Sequence, residues 1–336
     1  MNTINRLTHV LTHPHDLISA LMKRSFIYKH LNDEYALRLM YRHMTGQKLN
    51  LTHPRSFNEK MQWLKLYDRR PVYTIMADKY SAKEWAKERI GEQYIVPTYG
   101  AWDNVDDIDW SNLPQQVVLK TNHGYGGVTG IVICKDLASL DKDEAKSRLK
   151  KSLRRNYFYV GREWPYKNII PLVLAEKFLG DNLQDYRVYC FNGVPKLIYS
   201  YTNVSSSDGS KPELSYCDIY DTDWQPMPFH QRTLPKGDVP SPKHLSEMID
   251  IAAKLSKDVP FLRVDFYDGE RLFLGELTFY PGGVCLRTIL TNGTTYLAHG
   301  SRYLQNIYGK SDNRYLSGLL HSSCDIAAHE SRLAAA

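Results

Sequence analysis

The sequence is short of cysteine, has no long apolar run and carries no nucleic-acid-binding signature, and each shortage removes a class of protein. Its five cysteines, Cys134, Cys190, Cys217, Cys285 and Cys324, are odd in number, widely spaced and never in a Cys-x-x-Cys. Free thiols in a reducing cytosol are therefore expected rather than a disulfide framework or a structural zinc site. No stretch of about 18 or more apolar residues occurs, so no hydrophobic membrane span is expected. No secretory signal pattern opens the chain, which makes the cytoplasm the expected compartment. Zinc-finger spacing, a helix-turn-helix pattern and an RNA-recognition aromatic motif are all missing, so nucleic acid is not an expected partner. His13, His15 and the other histidines lack metal-ligand spacing.

What is present is an ordinary globular composition, 336 residues with 43% hydrophobic and 24% charged. That suffices for one large domain or for lobes around a cleft. The net charge of +6 gives a weak pull toward phosphates, acidic glycans or a lipid surface. Residues 1–50 mix apolar residues with cations, as in Leu17–Ile27 and Tyr35–Arg42. Such basic amphipathic helices either lie on an anionic membrane or pack on their own domain. The pattern predicts a helix over Asp78–Ile90 with Ala82, Trp85, Ala86 and Ile90 as its apolar stripe and Gly91 as its stop. A second helix begins near Asp141, which has capping-box spacing to Glu144, and buries Ala145, Leu149 and Leu153. A third follows Pro242, with Leu245, Met248, Ile249, Ala252 and Leu255 on one face. Strands are expected at Val117–Lys120, Ile131–Cys134, Leu172–Phe178, Tyr186–Phe191, Lys196–Tyr201, Phe261–Tyr267 and Leu272–Leu277. The class is α+β, with antiparallel sheets favoured.

Lys120 closes one strand, and His123, Gly124, Gly126, Gly127 and Gly130 lie between it and the next. Glycines let successive N–H groups approach phosphate oxygens, and Lys120 would add a fixed cation; the same residues could also form a loose hairpin tip. A Walker loop and a dinucleotide fingerprint both need a following helix, and here a strand follows. A protein kinase places its lysine after the loop and needs His-Arg-Asp, which this chain lacks.

Alternation puts Arg263, Asp265 and Tyr267 on one face of a strand, and Leu272, Leu274, Glu276 and Thr278 on one face of the next. Two carboxylates among bulky apolar residues suit a hard cation. A tight Asp268-Gly269 hairpin would set Asp265 opposite Leu272 and Glu276 about 13 Å further along. A shared metal site therefore requires a tip near Glu270-Arg271. The alternative is an Arg263–Asp265 ion pair beside an exposed Glu276. Between these stretches, Glu176-Lys177-Phe178 could clamp an adenine while its backbone bonds the base edge, with Asp185 on the ribose and Arg187 on phosphates. It could equally be a core strand followed by surface charges.

In order, Phe57-Asn58-Glu59-Lys60-Met-Gln62-Trp63-Leu-Lys65, Asp78-Lys79-Tyr80, Val118-Leu-Lys120-Thr-Asn-His123-Gly124, Ala175-Glu176, Asp185-Tyr186-Arg187, Phe191-Asn192-Gly193, Arg263-Val-Asp265 and Gly275-Glu276-Leu-Thr278-Phe-Tyr-Pro281 resemble the TupA-like branch of the ATP-grasp superfamily. That branch is linked to bacterial polysaccharide biosynthesis, and the likeness spans roughly residues 30–290. It implies an ATP-grasp fold, two α+β subdomains clamping a nucleotide. The implied layout is a basic helical extension (1–54), an N-terminal subdomain (55–112), a lid with the glycine loop (113–182), a metal-binding subdomain (183–300) and a C-terminal tail (301–336).

The resemblance further implies ATP and two Mg²⁺ as cofactors, with Asp265, Glu276 and Thr278 as metal ligands. Lys79, Lys120, His123, Gly124, Gly126, Gly127, Glu176, Lys177, Phe178 and Asp185 would bind ATP, and Arg263 and Arg187 would act in catalysis. The wider superfamily has Glu-x-Asn where this chain has Glu276-Leu-Thr278, a substitution the TupA-like branch shares. The implied reaction joins an amine to a carboxylate, here a uronic acid of a capsule or O-antigen glycan, supplied free or nucleotide- or lipid-linked. Members of the branch are also labelled glycosyltransferases, so phosphoryl or glycosyl transfer to a glycan is the competing enzymatic reading. A scaffold held at the inner membrane by residues 1–50 is the non-enzymatic one.

Overall fold

The computed structural model describes residues 26–124, 130–181, 184–202, 215–231, 233–282, 288–290 and 295–296. Gly126, Gly127, residues 1–25, most of 203–215, Cys285, Cys324 and the 301–336 tail lie outside them. The longer helices are α1 (Asp33–Thr45), α2 (Phe57–Tyr67), α3 (Pro71–Ala77), α4 (Ser81–Ile90), α5 (Lys142–Leu153) and α6 (Leu245–Ser256). The strands are β1 (Thr98–Trp102), β2 (Val117–Thr121), β3 (Ile131–Cys134), β4 (Val173–Lys177), β5 (Gln184–Phe191), β6 (Val194–Thr202), β7 (Tyr216–Tyr220), β8 (Phe229–His230), β9 (Phe261–Asp268), β10 (Leu272–Thr278), β11 (Thr288–Leu290) and β12 (Thr295–Tyr296).

They form two principal antiparallel sheets, in the orders β1-β4-β2-β3 and β10-β9-β5-β6-β7. A small third sheet runs β12-β11-β8. Helix α5 covers the first sheet, and Leu149 and Ala145 meet Val117, Leu119, Val132 and Val173 in a compact apolar core. Asp141 caps this helix by accepting from the Glu144 N–H at 2.9 Å, as its spacing predicts. The core begins before residue 113. β1 pairs with β4, and Val105 and Ile108 belong to this same core.

The second sheet packs against α2, α3, α4 and α6 in a larger core. Ser56 and Glu59 close a complete capping box on α2, which drives Phe57 against Phe191 and Phe261. In α6 the deepest residues are Met248, Ile251, Ala252 and Leu255, while Leu245 and Ile249 are only partly buried. Helix α1 is packed onto the protein through Ala36, Leu37, Met40 and Tyr41. Its opposite stripe, Tyr35, Arg38, Leu39 and Arg42, is exposed.

The β9–β10 hairpin decides whether the two acids can meet. Asp268 pairs with Leu272, so the turn is Gly269–Arg271, centred on Glu270 within the expected tip, with the strand register one residue off the expected one. Without interruption that register would place Asp265 opposite Gly275. A bulge between Leu274 and Glu276 shifts it, and Asp265 faces Glu276. The bulge also corrects the face assignment on β10. Leu272 and Leu274 point into the core, whereas Glu276 pairs with Asp265 and Thr278 with Arg263. Gly275 lets the strands approach closely at the bulge, since a Cβ there would stand 3.2 Å from the Asp265 carbonyl oxygen and from the Tyr267 ring and would press both back by a few tenths of an ångström.

Candidate functional site

The two sheets meet at a cleft. Ile95, in the segment that leaves α4 for β1, forms a bridge with Leu274 of β10 and joins the walls at the floor. Asn122, fully buried just beyond β2, ties three segments together. Its amide donates to Asp78 at 2.8 Å and to the Ile170 carbonyl at 2.9 Å, and its oxygen accepts from the Leu172 N–H at 2.8 Å. Asp78 also accepts from the Tyr80 N–H and the Ser81 hydroxyl at the start of α4. Lys79, next in sequence, is thereby aimed across the cleft.

Lys79 Nζ lies 2.9 Å from Glu276 Oε2 and donates to the Gly124 carbonyl at 2.9 Å. It thus touches both the acidic pair and the root of the glycine loop. That root is tight, since a Cβ on Gly124 would come within 2.5 Å of the Thr121 hydroxyl. Lys120 reaches Glu176 Oε2 at 2.5 Å. Lys83 of α4 reaches Glu176 Oε1 at 2.7 Å, and sequence reasoning gave no sign of it because it sits on the polar face of a helix. Asp78, Asn122 and Lys83 are the residues sequence reasoning left without a role. The first two stand inside the quoted motifs, so only the spacing of those motifs pointed to them.

On the second sheet Arg263 donates two hydrogen bonds to Asp265, one of them from Nε at 2.6 Å, and a third to Glu276 at 2.8 Å. The Thr278 hydroxyl donates to the same Glu276 oxygen at 3.1 Å. Arg187 holds Asp185 through two hydrogen bonds, lies 3.8 Å from Asp265 and stacks over the Tyr201 ring at 4.0 Å. The Arg263–Asp265 ion pair of the alternative reading is present, and so is the facing of Asp265 and Glu276 that a shared metal site requires. Glu276 is engaged by two cations rather than exposed. Burial pushes the Glu276 carboxyl up, but Lys79 and Arg263 outweigh it and hold it well below the ordinary range. Burial, with the Glu276 charge, pushes Asp265 up to about 7 against the pull of Arg263.

Two expected residues stand differently. The His123 ring is 2% exposed, bonded to Asn122 at 3.1 Å and to the Arg155 carbonyl at 2.9 Å, and burial pushes its imidazole down. Both ring nitrogens face carbonyl oxygens at the loop root, and the single N–H of the neutral ring that burial favours is spent on one of them. β4 is an interior strand with β1 and β2 on either side, and the Lys177 N–H donates to the Pro97 carbonyl. Its backbone edge is spent on the sheet, so a base-edge contact falls to residues beyond Lys177. The Lys177 side chain is exposed and Phe178 is half-buried.

Between Lys79, Lys83, Glu176 and Glu276 the cleft encloses a cavity of about 20 Å³. A second cavity, about 390 Å³, shares Lys83, Ile95 and Val96 with it and is bordered by Lys177, Arg271 and Phe273. The donor set fits a divalent cation. Asp265 and Glu276 face one another across a strand pair with a neutral hydroxyl beside them, which are the oxygen ligands a hard ion takes. Among the described residues no third His, Cys, Asp or Glu joins them. The lysines and arginines paired with these acids would meet a polyphosphate.

Two antiparallel sheets gripping a cleft, lysines on one wall and facing carboxylates on the other, define an ATP-grasp fold. A family model described as TupA-like ATPgrasp matches residues 59–291, and the chain belongs to that family. Solved structures with a similar trace include a D-alanine–D-alanine ligase from Bacillus anthracis, at 18% identity and TM-score 0.42 over 76% of this chain and 70% of that one. An N5-carboxyaminoimidazole synthetase from Staphylococcus aureus follows at 14% identity and TM-score 0.37, over 62% and 46%. A D-alanine–D-alanine ligase from Helicobacter pylori matches at 16% and 0.37, over 68% and 63%. The chain spans less than two thirds of the last two. No curated protein matches it.

Proposed function

We propose that the chain is an ATP-dependent carboxylate–amine ligase that forms an amide through an acyl phosphate. The observation that carries this reading is the Asp265–Glu276 pair, set opposite Lys79 and beside Arg263. Bound Mg²⁺, held by Asp265 and Glu276 with Thr278 alongside, would neutralise charge on the nucleotide phosphates. Lys79 and Lys120 bind those phosphates. The base occupies the wider cavity beside Lys177 and Phe273, with Phe178 next in sequence, and Asp185 takes the ribose hydroxyls. Arg187 positions phosphate or acceptor carboxylate. Arg263 stabilises the oxyanion as the amine attacks the acyl carbon and phosphate departs.

The surface-polysaccharide role that the resemblance implies supports a uronic acid of a capsule or O-antigen glycan as the carboxylate, and an amino acid or related compound as the amine. Incubating the protein with Mg·ATP, a uronic acid and hydroxylamine is expected to yield the hydroxamate with matching ADP. ADP with a phosphorylated sugar and no hydroxamate would make it a kinase, and turnover of a sugar nucleotide would make it a glycosyltransferase.

A cytoplasmic location with peripheral contact to the inner membrane through residues 1–50 completes the proposal. No helix among the described residues is long and apolar enough to cross a membrane. Support for surface contact is the exposed stripe of Tyr35, Leu39 and Arg42 on α1. Sedimentation with phosphatidylglycerol vesicles should carry the parent down and leave a Tyr35→Ser/Leu39→Ser/Arg42→Glu variant in the supernatant. Equal sedimentation of the two would remove this part of the reading.

A further inference from the structure

Glu176 is 4% exposed on an interior strand and meets one lysine at each carboxylate oxygen. The two lysines are not equivalent. Lys83 donates to the Val96 carbonyl at 2.6 Å and to the Thr98 hydroxyl at 2.7 Å, and its ammonium lies 2.7 Å from Glu176 Oε1 as an ion pair. It is anchored on α4 and on the entry to β1. Lys120 is held by Glu176 alone among the described residues. One cation is locked and the other is exchangeable.

We propose that Lys83 is a positioning residue, a stationary counter-ion for Glu176 that frees Lys120 to turn to the nucleotide phosphates. This rests on the ATP reading above. A buried carboxylate that loses its only cation is costly. If Lys120 were Glu176's sole partner, drawing it onto a phosphate would strand that charge. With Lys83 in place the carboxylate stays ionised throughout, and Lys120 exchanges a carboxylate oxygen for a phosphate oxygen. The groups facing Glu176 agree with this division. They are Lys83 from α4, Lys120 from β2 and Tyr267 from β9, with Lys79 and Glu276 lining the same cavity. Burial pushes the Glu176 carboxyl up, and the two lysines together more than reverse it.

The sign of the pH effect follows. In a Lys83→Met protein, nucleotide binding removes the last cation from Glu176, whose folded pKa then rises because burial is no longer opposed. Binding takes up a proton, so affinity improves as pH falls; the parent shows no such uptake at this residue. Titration with the fluorescent analogue mant-ATP and Mg²⁺ should give about tenfold or greater weakening in Lys83→Met at neutral and alkaline pH. The loss should shrink in acid. It should also be largely repaired by Glu176→Gln in the same chain, because a neutral amide needs no counter-ion. A purely structural role for Lys83 predicts neither relief. Lys83→Gln, which keeps a donor for Val96 or Thr98 but no charge, is the second variant should Lys83→Met not fold. The proposal is overturned if either folded variant binds mant-ATP as tightly as the parent. A loss that neither acid nor Glu176→Gln relieves overturns it equally. A parent that binds no mant-ATP overturns the ATP reading itself, and the role of Lys83 with it.

Discussion

Replacing Asp265 with asparagine is expected to lower the rate of ADP formation by roughly 10²–10³-fold or more, the scale of removing one fixed electrostatic contact from a developing charge. The substitution is nearly isosteric. It keeps an oxygen for the Arg263 guanidinium, and Arg263 retains Glu276 at 2.8 Å, so the hairpin should keep its register. What is lost is the negative charge opposite Glu276, and with it half of the carboxylate pair that would neutralise a divalent cation. Steady-state ADP release, measured beside thermal unfolding of the same preparation, separates catalysis from folding. A folded variant within tenfold of the parent rate would show that Asp265 does not hold the metal. A membrane-surface scaffold would keep its lipid binding in this variant and would have had no ADP formation to lose.

The largest effect on stability is expected at Asn122. Asn122→Ala removes at one stroke the partners of Asp78, the Ile170 carbonyl and the Leu172 N–H, in a position with no solvent access. A buried polar group left unpaired costs about 1–3 kcal/mol, and the loss at this junction should reach about 3 kcal/mol in total. Equilibrium urea unfolding measures it directly, and a change below about 1 kcal/mol would mean that water replaces the amide. Because Asp78 helps start α4, a folded Asn122→Ala protein should also bind nucleotide more weakly than the parent. Lys79 and Lys83 both take their direction from that helix start.

Much of this architecture is local and therefore legible. The β3 limits, the Gly91 stop of α4 and the Asp141 cap of α5 depend on neighbours a few residues away, and the structure places each where pattern and spacing do. The strands β1 and β7 escaped notice. Thr98–Trp102 contains a glycine and is nowhere fully buried, and Tyr216–Tyr220 follows a polar stretch, so neither shows the expected alternation. The helix Pro71–Ala77 is too short to display a period. The assignment of β1 to the lid sheet is a long-range matter, since its partner β4 lies about seventy residues downstream.

By itself, the sequence determined the residue types that could meet a nucleotide and a metal, the antiparallel α+β class, and the TupA-like ATP-grasp resemblance that residues 59–291 confirm. Backbone propensity, glycine chemistry and ordered motifs are enough for that. Tertiary structure decided which of those residues act on one another. The Gly275 bulge, invisible to a strict two-residue period, turned Glu276 away from Leu274 and onto Asp265. Burial of His123 against the Arg155 carbonyl set its ring at the loop root. A helix about ninety residues before Glu176 in sequence supplied Lys83 to a carboxylate that the resemblance had placed at the nucleotide. Such pairings depend on where separate elements are brought to rest, and charge and hydrogen-bond satisfaction in a buried cleft select them only once the chain has closed.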